Sequence, residues 1–365
     1  MIDAPMSIDV PPDMAMAKCK VQGVSAGGDH TCASVDDGSV YCWGRGENGE
    51  LGVSPVPESC VDGSANVGCS TTPQKVNVPG TIVVGTGTYH SCALTASGPY
   101  CWGLNAFGEY GDGTFTDATP TKLIAQRTGA ETIDGGVFHT CSIATGHVSC
   151  SGKNTAGEVG DNSLSPEMNT TDVLQGASSV SAGAYTTCAV VGTSLSCWGR
   201  NTYKTIDTTQ ANKLTPTMLT QVSMVAKVGV GVDHICAVLS DHTAKCWGSN
   251  AVGQLGDGMT SGSPQPPVLA TVANVADVSA ESYHTCLLDG DGQVWCFGEN
   301  YGATPVKVAL ARSATSVSTG NEHDCAILDD HTLWCWGDQH LGQLGNGSKS
   351  ATRQNSPVEV IPCVR

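Results

Sequence analysis

The chain repeats one cysteine motif seven times. Each motif holds two cysteines nine or ten residues apart, and most copies embed them in the same phrase of residues. A unit of this kind cannot bury its apolar face alone, so successive units must stack on one another. The repeat therefore decides the architecture, and function must lie in what differs between copies. The seven pairs are Cys32 and Cys42, Cys92 and Cys101, Cys141 and Cys150, Cys188 and Cys197, Cys236 and Cys246, Cys286 and Cys296, and Cys325 and Cys335.

The spacing within each pair favours a disulfide across a hairpin. Equal steps outward from Asp37 bring Cys32 opposite Cys42, and directly opposed residues on antiparallel strands can reach disulfide distance. Zinc is the alternative, because most copies also carry a nearby histidine. A zinc site needs four ligands that converge, whereas each cysteine pair belongs to a separate copy. We therefore predict disulfides, no metal and no cofactor.

The number of cysteines also indicates a compartment. Eighteen cysteines at regular spacing predict a disulfide-rich protein, and such proteins persist in oxidising surroundings. We expect an extracytoplasmic location: secreted, periplasmic or on the outer cell surface. No segment approaches the roughly 20 apolar residues of a membrane span, so we expect no membrane insertion. Residues 1–18 are predicted to be a flexible tail, with the export signal absent from this sequence and a lipid or tail tether as one way of attachment.

The charge of the chain limits its partners. Its 34 acidic and 17 basic residues give a formal net charge of −17. Nucleic acid and anionic membrane surfaces would repel such a protein. Its partner is therefore expected to be a protein or a glycan.

The consensus of the copies reads V-x-x-G-x-x-H-T-C-A-L, a turn, V-x-C-W-G and N-x-x-G-Q-L-G-D-G, followed by a Pro-Val strand. The fifth copy, residues 228–258, shows most of it. Apolar and small residues alternate between Gly-containing turns, which predicts four short antiparallel strands per copy. This pattern resembles the RCC1 repeat family, whose members fold as seven-bladed β-propellers. The resemblance implies an all-β fold, a disulfide-stapled propeller over residues 19–365.

Four cysteines lie outside the repeated pairs. Cys19 and Cys363 map to the same repeat position, where one copy feeds the next, so a Cys19–Cys363 disulfide would close the ring covalently. Cys60 and Cys69 lie in the longest segment between two copies and are expected to staple an insertion. Together with the seven pairs, these predict nine bridges.

The recurrent histidines and tryptophans are expected to be structural. A histidine lies two residues before the first cysteine in six copies, with Thr186 in the fourth, and separate blades keep such residues from forming a catalytic group. Tryptophan recurs after the second cysteine, with Ser151 and Phe297 as exceptions. The G-Q-L-G phrase is altered in the fourth copy and shortened in the sixth, at Asn300-Tyr301-Gly302.

The residue before each histidine position is aromatic in four copies and acidic in three. Because this residue occupies the same turn in every copy, seven side chains should ring one face of the propeller. Exposed aromatic side chains give rigid contact area, which favours a binding face. The competing interpretation is that these rings only cover the blade ends. The candidate residues are Asp29, Tyr89, Phe138, Tyr185, Asp233, Tyr283 and Glu322.

These observations predict a non-enzymatic binding scaffold that is secreted or tethered to a surface. It would recognise a protein or glycan through one propeller face. The resemblance also offers an inhibitor of an extracellular enzyme, similar to a secreted β-lactamase inhibitor, as an alternative. Guanine-nucleotide exchange, the activity of the family's namesake, fits an acidic, cysteine-stapled chain less well. No phosphate loop or hydrolase motif is visible in the sequence.

Overall fold

The protein is a ring of seven antiparallel sheets, described here by a computed structural model of residues 18–362. Six sheets have four strands, and the first has five, in the order β1-β2-β3-β5-β4. Each sheet is one copy of the repeat, which confirms the predicted seven-bladed propeller. The strands are β1 Val21–Ala26, β2 His30–Val35, β3 Val40–Arg45, β4 Glu58–Asp62, β5 Ala65–Val76, β6 Thr81–Thr86, β7 His90–Thr95, β8 Gly98–Gly103, β9 Ala118–Leu123, β10 Thr132–Gly135, β11 His139–Ala144, β12 His147–Gly152, β13 Glu167–Gln175, β14 Ala177–Ala182, β15 Thr186–Val191, β16 Ser194–Gly199, β17 Lys213–Met218, β18 Val225–Val230, β19 His234–Leu239, β20 Ala244–Asn250, β21 Ser261–Leu269, β22 Val275–Glu281, β23 His284–Asp289, β24 Val294–Gly298, β25 Gly302–Lys307, β26 Ala314–Thr319, β27 His323–Leu328, β28 Leu333–Gly337 and β29 Gln354–Val360.

The first strand of each blade is the innermost one. These strands contact their counterparts in neighbouring blades, from β1 and β6 around to β22 and β26, and β26 returns to β1. Together they line a central channel. The one helical element among residues 18–362 is a short 3₁₀ turn, Ala125–Arg127, and no helix there is long and apolar enough to cross a membrane.

The second strand of each blade carries the first cysteine, and in six blades also the histidine, and it is almost wholly buried. In β2 all six residues are buried, because the neighbouring blades cover both of its faces. The turn that follows is fixed locally. The Ser39 amide donates to the Asp37 carboxylate at 2.9 Å, and Gly38 has a φ of 79°, a conformation that glycine adopts readily.

Seven disulfides join the second and third strands of their blades, as the sequence predicts. Cys32 pairs directly with Cys42 in the β2–β3 register, and all seven bridges have Cα–Cα distances of 4.0–4.2 Å. The predicted Cys60–Cys69 disulfide is also present, with a Cα–Cα distance of 5.8 Å. Cys363 lies outside the described residues, so the Cys19–Cys363 bridge remains a prediction, as does the tail assigned to residues 1–18.

The Cys60–Cys69 bridge closes an extra hairpin on the first blade. Strand β4 pairs with the first half of β5, whose second half pairs with β3 as the ordinary outer strand. The sequence indicated an insertion here but not a fifth strand.

The ring closes without exchange of strands between its ends. The first and the seventh blade are each built from consecutive strands. Strand β1 contacts β26 and β27, the Val21 amide donates to the His331 carbonyl at 3.0 Å, and Lys18 forms a 2.6 Å ion pair with Glu359. The junction between the chain ends is therefore similar to the other blade junctions.

Candidate functional site

The recurrent histidines of the repeat form hydrogen bonds from each blade to the next, and we call this ring of contacts the belt. His30 Nε2 lies 2.8 Å from Ser91 Oγ, and the Ser91 hydroxyl donates to the Glu50 carbonyl at 3.0 Å. The imidazole must therefore donate through Nε2, since the hydroxyl proton is already used. The same contact from histidine to the next blade recurs for His90 with Thr140, His139 with Thr187, His234 with Thr285, His284 with Asp324 and His323 with Thr31.

Burial keeps most belt histidines neutral. It lowers the pKa of His30, His90 and His234 to about 3, and that of His139 and His323 to about 4. In each of these five residues the buried Nδ1 accepts no hydrogen bond from the described residues. The histidines thus act as fixed donors that tie one blade to the next. This geometry supports the structural interpretation made from the sequence.

The belt contact is missing at one junction, where both of its partners are replaced. The fourth blade has Thr186 in place of histidine, and the fifth has Ile235 in place of the accepting hydroxyl. Ile235 packs instead in an apolar cluster with Val230 and Trp247. This junction therefore replaces a polar contact with hydrophobic packing, and neither side is left unsatisfied.

The sixth blade lacks the G-Q-L-G loop, and a tyrosine takes over its contact. In the first blade Trp43 Nε1 donates to the Gln343 carbonyl of such a loop at 2.9 Å. In the seventh blade Trp336 Nε1 donates instead to the Tyr301 hydroxyl at 2.8 Å, and that hydroxyl donates to Asp324 at 2.5 Å. The shortened loop is therefore compensated structurally.

Among residues 18–362, three side chains that could ligate a metal converge in one place, but they are not available to a metal. Ligand atoms of His284, Cys286 and Asp324 lie within 4.8 Å of one another. The Cys286 sulfur is bonded to Cys296, and the other two residues hydrogen-bond at 2.7 Å. Although burial opposes it, the contacts from His284 and Tyr301 hold the pKa of Asp324 below its ordinary value. The trio is a belt contact.

The third blade replaces the usual tryptophan with Ser151, and an arginine fills the space. Arg127 is 3% exposed, and its guanidinium donates to the hydroxyls of Ser142 and Ser151. It also donates to the carbonyl oxygens of Tyr110, Thr140 and Ser149. Burial lowers its pKa to about 9. Arg127 is thus a core residue, and its charge does not contribute to the protein surface.

The seven candidate face residues occupy equivalent turns, but their environments differ. Phe138 is central to one group: its ring stacks on Tyr89 at 5.3 Å between centroids and meets Phe107 edge-on at 5.2 Å. Tyr89, Phe138 and Tyr185 are half-buried, whereas Asp233 is 8% exposed. The aromatic residues on consecutive blades therefore form a partly exposed surface.

Two basic residues complete this surface. Lys153 Nζ lies 5.1 Å from the Phe138 ring centroid and 5.2 Å from that of Tyr185. The Arg200 guanidinium lies 3.8 Å from the Tyr185 centroid and forms an ion pair with Asp233. These distances are those of cation–π contacts. We call this group the aromatic–cation row: Tyr89, Phe107, Phe138, Lys153, Tyr185 and Arg200.

The other candidate residues lie outside the row. Asp29 lies 3.8 Å from Arg45 in the first blade, and burial raises its pKa. Tyr283 is 39% exposed, and Glu322 is also exposed. The blades of Tyr283 and Glu322 carry Glu299 and Asp338 at the position that holds Lys153 and Arg200 in the row, whereas the first blade carries Arg45 there. The sixth and seventh blades therefore form an acidic part of the face, opposite in charge to the row.

The sequence analysis missed Lys153 and Arg200, although a signal was present. Both residues directly follow the glycine that ends the third strand. The Lys153 amide donates to the Phe138 carbonyl at 2.7 Å, and the Arg200 amide donates to the Tyr185 carbonyl at 2.8 Å. This backbone contact recurs in all seven blades, so the two turn positions are always adjacent. Comparison of copies at both positions together would have found the row.

A second concave region lies at the junction of the seventh and first blades. A cavity of about 470 Å³ separates the Cys60–Cys69 hairpin from the outer loop of the seventh blade. Asp338 and His340 are hydrogen-bonded on one side of it, and Lys349 lies 3.5 Å from Glu58 on the other. Its polar groups are thus largely bound to one another.

Comparison with protein-family models identifies the repeat. The description "Regulator of chromosome condensation (RCC1) repeat" matches residues 21–50, 37–94, 225–254, 275–302 and 314–343. The chain is 31% identical over 127 residues to the ultraviolet-B receptor UVR8 of Arabidopsis thaliana, and 32% identical over 119 residues to protein RCC1 of Candida albicans. These matches cover 33% and 31% of this chain, and 26% of each relative. The chain therefore spans about a quarter of the length of these two relatives.

Solved structures agree with this fold. Human WBSCR16 superposes with a TM-score of 0.74 at 16% identity, covering 86% of this chain and 88% of that one. Yeast RCC1 (Prp20), in a crystal structure with Kap60 bound, gives a TM-score of 0.72 at 18% identity, covering 99% and 89%. At such identity the likeness shows the propeller fold alone.

Proposed function

We propose that this chain, which belongs to the RCC1-like repeat family, is a non-enzymatic scaffold that binds a protein partner through the aromatic–cation row. Relatives with this fold bind proteins: yeast RCC1 was crystallised with Kap60 bound. The observation that carries the proposal is the row itself. Four aromatic rings and two cations from neighbouring blades meet on one partly exposed surface.

The charges in the row favour a partner that presents a carboxylate. Arg200 is paired with Asp233, but Lys153 forms no ion pair with any residue in 18–362. Its ammonium group lies over three aromatic rings instead. A carboxylate from a partner could approach this cation while its apolar side chains cover the rings, as at interface centres built from aromatic anchors.

The chemistry of the described residues supports binding over catalysis. His30 and Ser91 have the spacing of a base and a nucleophile, at 2.8 Å. Both are buried, at 0% exposure, and the Ser91 hydroxyl donates to a backbone carbonyl. A substrate could not reach this pair. The belt histidines are therefore assigned to the scaffold.

We place the protein in an oxidising, extracytoplasmic compartment. Eight disulfides within residues 18–362 support this location, because cytosolic thiol systems reduce such bonds. The net charge of −17 further supports a protein partner over nucleic acid.

The test compares partner capture by three forms of the protein. We expect the triple variant Tyr89→Ala, Phe138→Ala, Tyr185→Ala to keep its fold and lose the proteins captured from culture supernatant by the wild type. Tyr283→Ala is the matched control, because it occupies the same turn outside the row. Equal capture by the folded triple variant, or loss of capture in the Tyr283 variant alone, would refute the assignment to the row.

A further inference from the structure

One position of the central channel departs from the repeat in a way that the scaffold does not need. The residue three positions before the belt histidine is glycine in six blades, counting the fourth with its Thr186, and Glu281 in the sixth. Close packing requires the glycines: a Cβ on Gly27 would lie 2.4 Å from the Gly87 carbonyl oxygen, and one on Gly136 would lie 2.2 Å from that of Gly183. Glu281 brings a carboxylate into a ring otherwise made of backbone.

This carboxylate lines a polar cavity of about 200 Å³ in the channel. Six hydroxyl groups, from Ser25, Thr86, Ser181, Ser279, Ser318 and Thr319, belong to residues around it. The carboxyl group of Glu281 is surrounded by protein, and the residue keeps partial exposure because the cavity itself admits water. No hydrogen bond from the described residues reaches its side chain.

A second carboxylate shares the cavity. Asp134 comes from the third blade, and it accepts hydrogen bonds from the amides of Ala182 at 2.9 Å and Gly135 at 3.1 Å. Burial raises the pKa of Asp134 to about 6. Burial and the nearby Asp134 raise the pKa of Glu281 to about 8. None of the described residues that line the cavity is basic.

Two half-buried carboxylates that share one cavity without a basic partner need compensation. A buried charge is stable when it is paired, hydrogen-bonded or bound to a metal ion. Asp134 has its amide donors, but Glu281 has none, and the two groups repel each other. Two protons or one divalent cation would remove the charge.

The donor atoms fit a hard cation. Carboxylate and hydroxyl oxygens without nitrogen or sulfur are the ligands of calcium, whereas zinc selects histidine and cysteine. A cavity of this size holds several water molecules, so an ion could keep part of its hydration shell. Calcium tolerates such irregular, partly aqueous coordination better than magnesium does. We propose that the central channel binds a hydrated calcium ion between Asp134 and Glu281.

Proton release separates this site from adventitious binding on an acidic surface. At pH 7 the cation-free Glu281 is mostly protonated, so calcium must displace about one proton from it. Surface carboxylates titrate near pH 4 and would release none. We expect calorimetric titration with calcium chloride, in two buffers of different ionisation enthalpy, to report about one proton released for each ion. The apparent affinity should weaken about tenfold for each pH unit below 8.

Variants give the decisive comparison. Glu281→Gln should weaken calcium binding at least tenfold and abolish proton release. Glu281→Gly restores the residue of the other six blades, so it should fold and lose the calcium response of the melting temperature. Asp172→Asn is the matched control, because its side chain is 66% exposed, and it should behave as the wild type. Absence of a calcium response in the wild type, or its survival in both Glu281 variants, would overturn the proposal.

Discussion

His323 Nε2 lies 2.7 Å from the hydroxyl oxygen of Thr31, although the two residues are 292 positions apart in the chain. The Thr31 hydroxyl also donates to the Gln343 carbonyl at 3.0 Å. This pair joins the last blade to the first with the same contact that joins the other blades. Closure of the ring thus uses the ordinary interaction between neighbours.

The first prediction concerns this junction. Thr31→Val should lower the free energy of unfolding by about 1–3 kcal/mol, because it leaves the buried Nε2–H of His323 unpaired. Urea unfolding under oxidising conditions measures the loss. The double variant Thr31→Ile, His323→Thr reproduces the native pair of the fourth and fifth blades. It should cost less than the sum of its single changes, and strict additivity would refute the pairing.

The second prediction concerns pH. Five belt histidines, His30, His90, His139, His234 and His323, have folded pKa values of about 3 to 4 against about 6.5 unfolded, so the unfolded chain binds more protons below pH 6.5. Their contribution to stability is complete above pH 6.5 and is lost as the pH falls. Glu109, with a pKa raised by burial to about 7, and Glu281 act oppositely between pH 8 and 5. Without divalent cations, the melting temperature should therefore peak near pH 6.5 and fall towards pH 4.

A variant tests the histidine part of this profile. His234→Gln removes one titrating group and keeps an N–H donor at the belt. Its melting temperature should fall less steeply than that of the wild type between pH 6.5 and 4. An unchanged or steeper fall would show that His234 does not titrate as its burial requires.

The third prediction concerns Arg127. Arg127→Ala should lower the free energy of unfolding by about 3–5 kcal/mol, because four acceptors in the third blade and the Tyr110 carbonyl of the second blade lose their buried donor. Adding Ser151→Trp to this variant restores the residue usual at that position. The new indole should donate to the Glu109 carbonyl, which now accepts from Ser151 at 3.1 Å. We expect thermal unfolding to show partial recovery in the double variant, whereas Ser151→Trp alone should destabilise by overpacking.

The fourth prediction concerns the disulfides. Peptide mapping under non-reducing conditions should recover the eight bridges of the described residues and a ninth between Cys19 and Cys363. Cys19 is buried in a cluster with Val360 near the chain ends, which is compatible with that pairing. Detection of a free thiol at Cys19 or Cys363 would refute the covalent closure of the ring, and it would not affect the assignment of the other eight bridges.

The propeller fold could be predicted from the sequence because each copy of the repeat forms one blade. The cysteine spacing fixed the hairpin register, and the turn residues fixed the strand ends. It could not reach contacts between blades, since these depend on positions some 40 to 60 residues apart. Tyr301 and Arg127 show the limit: Tyr301 replaces a loop contact that its own blade lacks, and Arg127 fills the space left by Ser151 in the next blade.

The candidate face was predicted in part for a similar reason. The aromatic positions follow from the repeat alone, and the structure places Tyr89, Phe138 and Tyr185 on neighbouring blades. Lys153 and Arg200 required knowledge that two distant turns of one copy are hydrogen-bonded side by side. Nothing in the sequence marks Glu281, because the close backbone contacts that require glycine at this position in the other six blades are visible only in the structure.

Each described disulfide joins cysteines that are only nine or ten positions apart, and each blade consists of consecutive strands. Oxidation can therefore proceed in step with the arrival of the chain in an oxidising compartment, because every hairpin holds both of its thiols before the next one emerges. A wrong partner must compete with one that is already tethered within a short loop. A cysteine-rich protein of this design needs little reshuffling of bonds, and the ring can be assembled from units that are already locked.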